Sequence, residues 1–181
     1  LRPQIATGID HIVTMGGAIT SGGNRTPSAE FNYLSDPHAA HVVFTADVPI
    51  VQLPLDATHQ AITTPERLQT LLDHHENAAL SFVKEILLRW NRADPERFCS
   101  DGGPLHDPLV IASLVWPELF QGYRAKVSIE LISSLTLGQS VADRWHSAVD
   151  AMQTHIVDHV DVDTLFPLLW RRLAELEGSG L

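Results

Sequence analysis

The chain is 181 residues long, enough for one ordinary domain with a sizeable apolar core. Its composition is globular, with 44% hydrophobic and 19% charged residues, and no apolar run approaches the roughly 20 residues of a membrane span. A formal net charge of -10, from 22 acidic against 12 basic side chains, argues against nucleic acid as a partner, and a single cysteine, Cys99, rules out an internal disulfide framework or a thiolate metal cluster.

In chain order, Ile9, Ile12 and Val13 make residues 9–14 a strand with at least one buried face. Residues 15–32 then carry Gly16, Gly17, Gly22, Gly23 and Pro27, a loop whose backbone can run close to a ligand. Asn24, Glu30 and Asn32 stand in that loop at fixed spacing. Asn both donates and accepts hydrogen bonds, while ionised Glu only accepts, so the set suits a polyhydroxylated ligand such as a sugar. A loop at the end of a buried strand is where open α/β sheets bind ligands. Asp36-Pro37 reads as an N-cap followed by proline at the first helical position, opening a helix through 38–44 that stops near Asp47-Val48-Pro49. Residues 50–55 look like a second strand, ending at Asp56. The order strand, loop, helix, strand predicts an α/β fold: a Rossmann-like, mainly parallel open sheet flanked by helices.

Thr64-Pro65-Glu66 opens what reads as the longest helix, with an apolar stripe of Leu68, Leu71, Leu72, His75, Ala79, Phe82, Val83, Ile86, Leu87 and Trp90. The stripe is most simply a face packed on the sheet rather than a cofactor box. Residues 91–104 are irregular, with Asp94-Pro95 and Gly102-Gly103-Pro104 as breakers. His106-Asp107-Pro108 precedes the apolar run 109–116, and Asp107 is expected to cap that helix. Residues 124–132 alternate apolar and polar, the pattern of a half-exposed strand. Residues 155–160 read as a strand and 163–176 as a closing helix, with 178–181 as a flexible tail. No repeat or linker divides the chain, which reads as one domain over 1–181.

Two clusters have chemical potential: Asn24/Glu30/Asn32 and His106/Asp107. A His beside a carboxylate can be a proton donor next to a metal ligand, and Asp oxygen suits calcium or magnesium. The bland readings are strong, because an Asp before Pro at a helix start is far more often only a cap. Among the other histidines, His38/His41 and His74/His75 lack a third ligand, and His155/His159 fall in a strand, so zinc is not favoured. Asn24-Arg25-Thr26 matches a glycosylation acceptor, which matters only in a secreted chain.

Several segments together resemble the inosine–uridine preferring nucleoside hydrolase family: Met15-Gly16-Gly17-Ala18, Gly23-Asn24 with Thr26-Pro27, Ala29-Glu30-Phe31-Asn32, Asp36-Pro37 with Ala39-Ala40, Pro54-Leu55-Asp56 with Thr58-His59, His106-Asp107-Pro108, and Thr136 with Gly138. They keep the family's order to about Leu173. The resemblance implies calcium-dependent hydrolysis of the N-glycosidic bond of ribonucleosides to ribose and free base. It implies that Asn24 and Glu30 hold the 5′-hydroxyl end of the ribose and Asn32 its ring-face hydroxyls. Asp107 would be a calcium ligand that also contacts ribose, and His106 would be the acid at the leaving base. It further implies a cytoplasmic homo-oligomer, a dimer or tetramer, with base specificity in loops such as 91–105, where Trp90 and Phe98 are stacking candidates. The family's Asp-x-Asp-x-x-x-Asp-Asp motif, which supplies most calcium carboxylates and the base that activates water, does not occur in these 181 residues. We therefore expect a C-terminal portion of the family's domain, incomplete at the N-terminus, that binds calcium weakly and turns over slowly. The alternative is a non-catalytic nucleoside- or ribose-binding remnant, or an inactive fragment.

Overall fold

The structure, a computed structural model, describes residues 3–72, 77–90, 102–145 and 153–176. After a 3-10 turn at Pro3–Gly8, strand β1 (Ile12–Met15) leads into the glycine-rich loop and then into helices α1 (Phe31–Ser35) and α2 (Pro37–Phe44). Asp36 caps α2 as the sequence predicts, its Oδ1 accepting the Ala39 N–H at 2.9 Å with Pro37 in the first turn. Strand β2 (Ile50–Leu53) lies parallel to β1 in the register Ile12↔Ile50 to Met15↔Leu53, closing a βαβ unit. A single turn, α3 (Leu55–Thr58), follows it directly.

The helix expected to run unbroken to Trp90 is instead two, α4 (Pro65–Leu72) and α5 (Ala78–Trp90). Asn77 starts the second one. Its Oδ1 accepts the Leu80 N–H at 2.7 Å, the N-cap bond, and its Nδ2 donates to the carbonyls of Leu173 and Ala174. The restart turns Phe82 outward, at 67% exposed, while Leu80 and Leu87 are buried.

Helix α6 (Pro108–Val115) precedes the long strand β3 (Phe120–Ile129), then β4 (Ser140–Asp143), β5 (Thr154–Val160) and α7 (Val162–Ala174). The alternation read in the sequence holds in β3, with Ala125, Val127 and Ile129 buried and Arg124, Lys126 and Ser128 exposed. The strands form one open sheet in the order β1-β2-β5-β3-β4. β1, β2 and β5 run parallel, while β3 pairs antiparallel with both β5 and β4. The open α/β sheet flanked by helices is therefore as expected, its parallel strands at one side and an antiparallel pair at the other.

Neighbouring residues of β5 serve the two faces, and a register shift in its pairing with β3 between Val157 and His159 brings Val160 to the side of Val157. Val157 and Val160 join Leu53, Leu71, Leu109, Leu165, Phe166 and Trp170 in the larger core under α4–α7. Ile156 points the other way, into a smaller core with Tyr33, Ala125, Val127 and Ile129, against which Ala40 and Phe44 of α2 pack. The helix predicted over 163–176 is α7, and its cap is Asp161, whose Oδ1 accepts the Thr164 N–H at 3.1 Å. Residues 178–181, read as a tail, and His74 and His75 lie outside the described residues.

Candidate active site

The loop after β1 is built so tightly that glycine is required in it. Gly17 has φ +78°, and a Cβ there would lie 2.5 Å from both Gln52 Nε2 and Ser140 Oγ. Gly23 sits where the loop folds back, its N–H donating to Pro27 O at 3.0 Å, and a Cβ would stand 2.2 Å from Ala29 O. Asp56, in the single turn α3 that follows β2, fastens the loop. Its carboxylate accepts the N–H groups of Ile19, Thr20 and Ser21 at 2.8, 2.8 and 3.1 Å and the hydroxyls of Thr20 and Ser21 at 2.5 and 3.2 Å. Burial pushes the Asp56 pKa up, but these donors outweigh it and hold the carboxyl below its ordinary range.

Glu30 is 2% exposed and is engaged by its own backbone surroundings. Oε2 accepts the N–H of Gly17 at 2.9 Å and of Tyr33 at 3.3 Å, and Oε1 accepts that of Asn32 at 2.7 Å. It is thus the N-cap of α1 and joins that helix to the loop. Asn24 Oδ1 accepts the Phe31 N–H at 2.8 Å, and Asn32 Nδ2 donates to Met15 O at 3.3 Å. The three polar residues read as ligand contacts are therefore also the joints of the loop that carries them.

His106 and Asp107 come from the opposite wall, in the segment leading to α6. Asp107 is not the cap the sequence predicts. Its backbone is already helical (φ -63°, ψ -35°) and its side chain makes no capping bond, so the exposed carboxylate is left uncommitted at the helix start. The first N–H groups of the helix are met instead by backbone carbonyls, Leu109 N–H donating to His106 O at 3.2 Å and Val110 N–H to Asp107 O at 3.0 Å. His106 Nδ1 is 2.9 Å from Thr58 Oγ1, and its ring meets that of His59 edge-on at 5.9 Å. Burial lowers the His106 pKa, against which the neighbouring Asp107 charge pulls upward.

These two walls close on one cavity of about 830 Å³, lined by Asn24, Glu30, Asn32, His106 and Asp107 together. The two clusters, distant from each other in sequence, thus meet at the carboxyl ends of β1 and β2, where open α/β sheets hold small ligands. The rest of the lining is apolar, from Met15, Phe31, α5 and α7. Of the apolar stripe that the sequence marks as a packing face, Val83, Ile86 and Leu87 line this space, while Leu87 is also part of the larger core and Val83 packs against it. Of residues 91–105, expected to set base preference, Pro104 and Leu105 line the cavity, while 91–101 and the Trp90 side chain lie outside the described residues.

As a calcium site the described residues fall short. Calcium takes six to eight oxygen ligands. Among the described residues no three of His, Cys, Asp or Glu converge, Glu30 is occupied by three backbone amides, and Asp107 stands as a single carboxylate. His38/His41 and His155/His159 likewise belong to no group of three or more metal-binding side chains among the described residues, and no helix there is long and apolar enough to cross a membrane.

The layout, an open α/β sheet with a polyhydroxyl-suited pocket at its strand ends, is that of a small-ligand α/β protein. The chain belongs to the inosine-uridine preferring nucleoside hydrolase family, whose model matches residues 1–167. It is 37% identical over 174 residues to a pyrimidine-specific ribonucleoside hydrolase, RihA, of Photobacterium profundum, covering 94% of this chain and 55% of that protein. It is 33% identical over 169 residues to the inosine-uridine preferring nucleoside hydrolase of Crithidia fasciculata, covering 93% and 53%. Its fold matches the solved purine-preferring ribonucleoside hydrolase of Gardnerella vaginalis with a TM-score of 0.82 at 26% identity, over 96% of this chain and 55% of that one. The chain thus spans about half the length of the relatives it matches.

Proposed function

We propose that the cavity binds a ribonucleoside and that the chain contributes the ribose-binding and leaving-group residues for hydrolysis of its N-glycosidic bond. The observation that carries this is the convergence of Asn24, Glu30 and Asn32 with His106 and Asp107 on one cavity. Breaking a ribosyl–base bond builds positive charge on the sugar. A pocket that presents amide and carboxylate oxygens before the substrate arrives stabilises that charge without reorganising. In this reading Asn24 and Glu30 hold the 5′-hydroxyl end and Asn32 the ring-face hydroxyls. His106 donates to the departing base, which leaves more readily when its developing negative charge is met by a proton or a hydrogen bond. Asp107 would be one oxygen ligand of the calcium ion implied by the family; the described residues do not complete that ion's shell. The printed names of the relatives span pyrimidine-specific, inosine–uridine and purine-preferring enzymes, so the base is proposed only as a purine or pyrimidine.

A second reading, nucleoside binding without turnover, is favoured by the lone Asp107 carboxylate. One experiment separates the two: ribose release from inosine and uridine by this chain, with calcium and with a chelator, beside calorimetric nucleoside binding. Slow, chelator-sensitive release supports hydrolysis. Binding with no release supports the second reading, and neither overturns both.

A further inference from the structure

His106 has two ring nitrogens, and which of them carries the proton decides what it can do for a ligand. Nδ1 lies 2.9 Å from Thr58 Oγ1, at the end of α3. Thr58 is fully buried, at 0% exposed. A buried hydroxyl must place its hydrogen on an acceptor, since leaving a donor unpaired away from water costs about 1–3 kcal/mol. Among the described residues, His106 Nδ1 is the sole hydrogen-bond partner of that hydroxyl. If Nδ1 were protonated, two hydrogens would compete for one contact and the Thr58 hydrogen would have no acceptor. If Nδ1 is bare, the Thr58 O–H donates to it and both groups are satisfied.

We infer that Thr58 is a positioning residue that fixes neutral His106 as the Nε2–H tautomer, so that the ring meets the cavity as a hydrogen-bond donor. The ligand atom it addresses is then an acceptor: a ring nitrogen lone pair or a carbonyl oxygen on the heterocycle. The edge-on His59 ring, 5.9 Å away, limits rotation of the imidazole about this bond. The inference rests on the proposed role of His106 at the leaving base, but its geometric content does not depend on turnover.

The test is the imidazole 15N spectrum of the chain at about pH 8, above the ordinary histidine pKa of about 6.5. His106 is assigned by the pattern missing in H106Q. Wild type is expected to show a protonated Nε2 and a bare Nδ1. In Thr58→Val, which removes the hydroxyl, the single-tautomer pattern is expected to collapse to a mixture, and Thr58→Ser, which keeps the hydroxyl, is expected to restore it. A protonated Nδ1 in wild type, or an unchanged pattern in Thr58→Val, overturns the inference. If Thr58→Val does not fold, the wild-type and Thr58→Ser spectra decide it. Absence of ribose release with the Nε2–H pattern intact would sink the proposed hydrolysis and leave the tautomer assignment standing.

Discussion

The two polar walls of the cavity are built on opposite terms. In the loop wall every side chain of interest is committed to the protein: Glu30 to three backbone amides, Asn24 to Phe31, Asn32 to Met15. In the wall before α6, Asp107 makes no capping bond and His106 holds a single hydroxyl. One wall spends its polar groups on holding a shape; the other keeps them unspent. Rigidity and reactivity are separated in space, and substitutions in the two walls should fail in different ways.

The largest effect belongs to the loop wall. Glu30→Ala strands three N–H donors, those of Gly17, Asn32 and Tyr33, in largely buried surroundings. We expect a loss of about 4 kcal/mol in urea denaturation, since each unmet buried donor costs about 1–3 kcal/mol. Glu30→Gln keeps one oxygen acceptor and should lose about half as much. Asp107→Asn is the converse. An exposed carboxylate without a capping bond should cost less than about 0.5 kcal/mol of stability. Ribose release should nonetheless fall about 100-fold, the scale for removing one preorganised electrostatic contact. If Asp107→Asn unfolds the chain as readily as Glu30→Ala, the contrast between the walls is wrong.

Much of this was legible in the sequence and some was not, for definable reasons. The open α/β sheet, the Asp36 cap and the five cavity residues follow from strand periodicity, cap-plus-proline signals and the family motifs. The helix break at Asn77 was hidden because Leu68, Leu71, Val83 and Leu87 stay in helical phase across it, and periodicity cannot see a cap that restarts a helix. The signal was present in Asn77-Ala78-Ala79, a good N-cap residue before strong helix formers. Asp107 misled because Asp-Pro at a helix start usually does cap, as it does at Asp36; only backbone geometry tells the two apart. Thr58 and Asp56 act across the fold on residues distant in sequence, where no local pattern reaches.

Asn77→Ala tests the restart and gives the next smaller effect. It removes the α5 cap and two bonds to α7 carbonyls, so we expect a loss of about 2 kcal/mol. Ligand affinity should follow through Val83, Ile86 and Leu87, which α5 presents to the cavity.

The smallest effect is a pH dependence, and it bears on how the loop wall is held. Burial raises the Asp56 pKa, but hydrogen bonds from Ile19 and Thr20 bring it below the ordinary carboxyl value. A carboxyl whose folded pKa is depressed binds protons more readily in the unfolded chain. Its stabilising contribution is therefore fully present above the unfolded value of about 3.9 and is lost as pH falls through the lower folded one. Asp56 is only partly buried, so water screens the effect, and about 1 kcal/mol is expected. Urea midpoints measured from pH 6 downward should fall more steeply below about pH 4 in the wild type than in Asp56→Asn, which has no proton to take up at that position. Parallel slopes for wild type and Asp56→Asn would mean that the loop is held by its glycine geometry alone, with Asp56 a bystander.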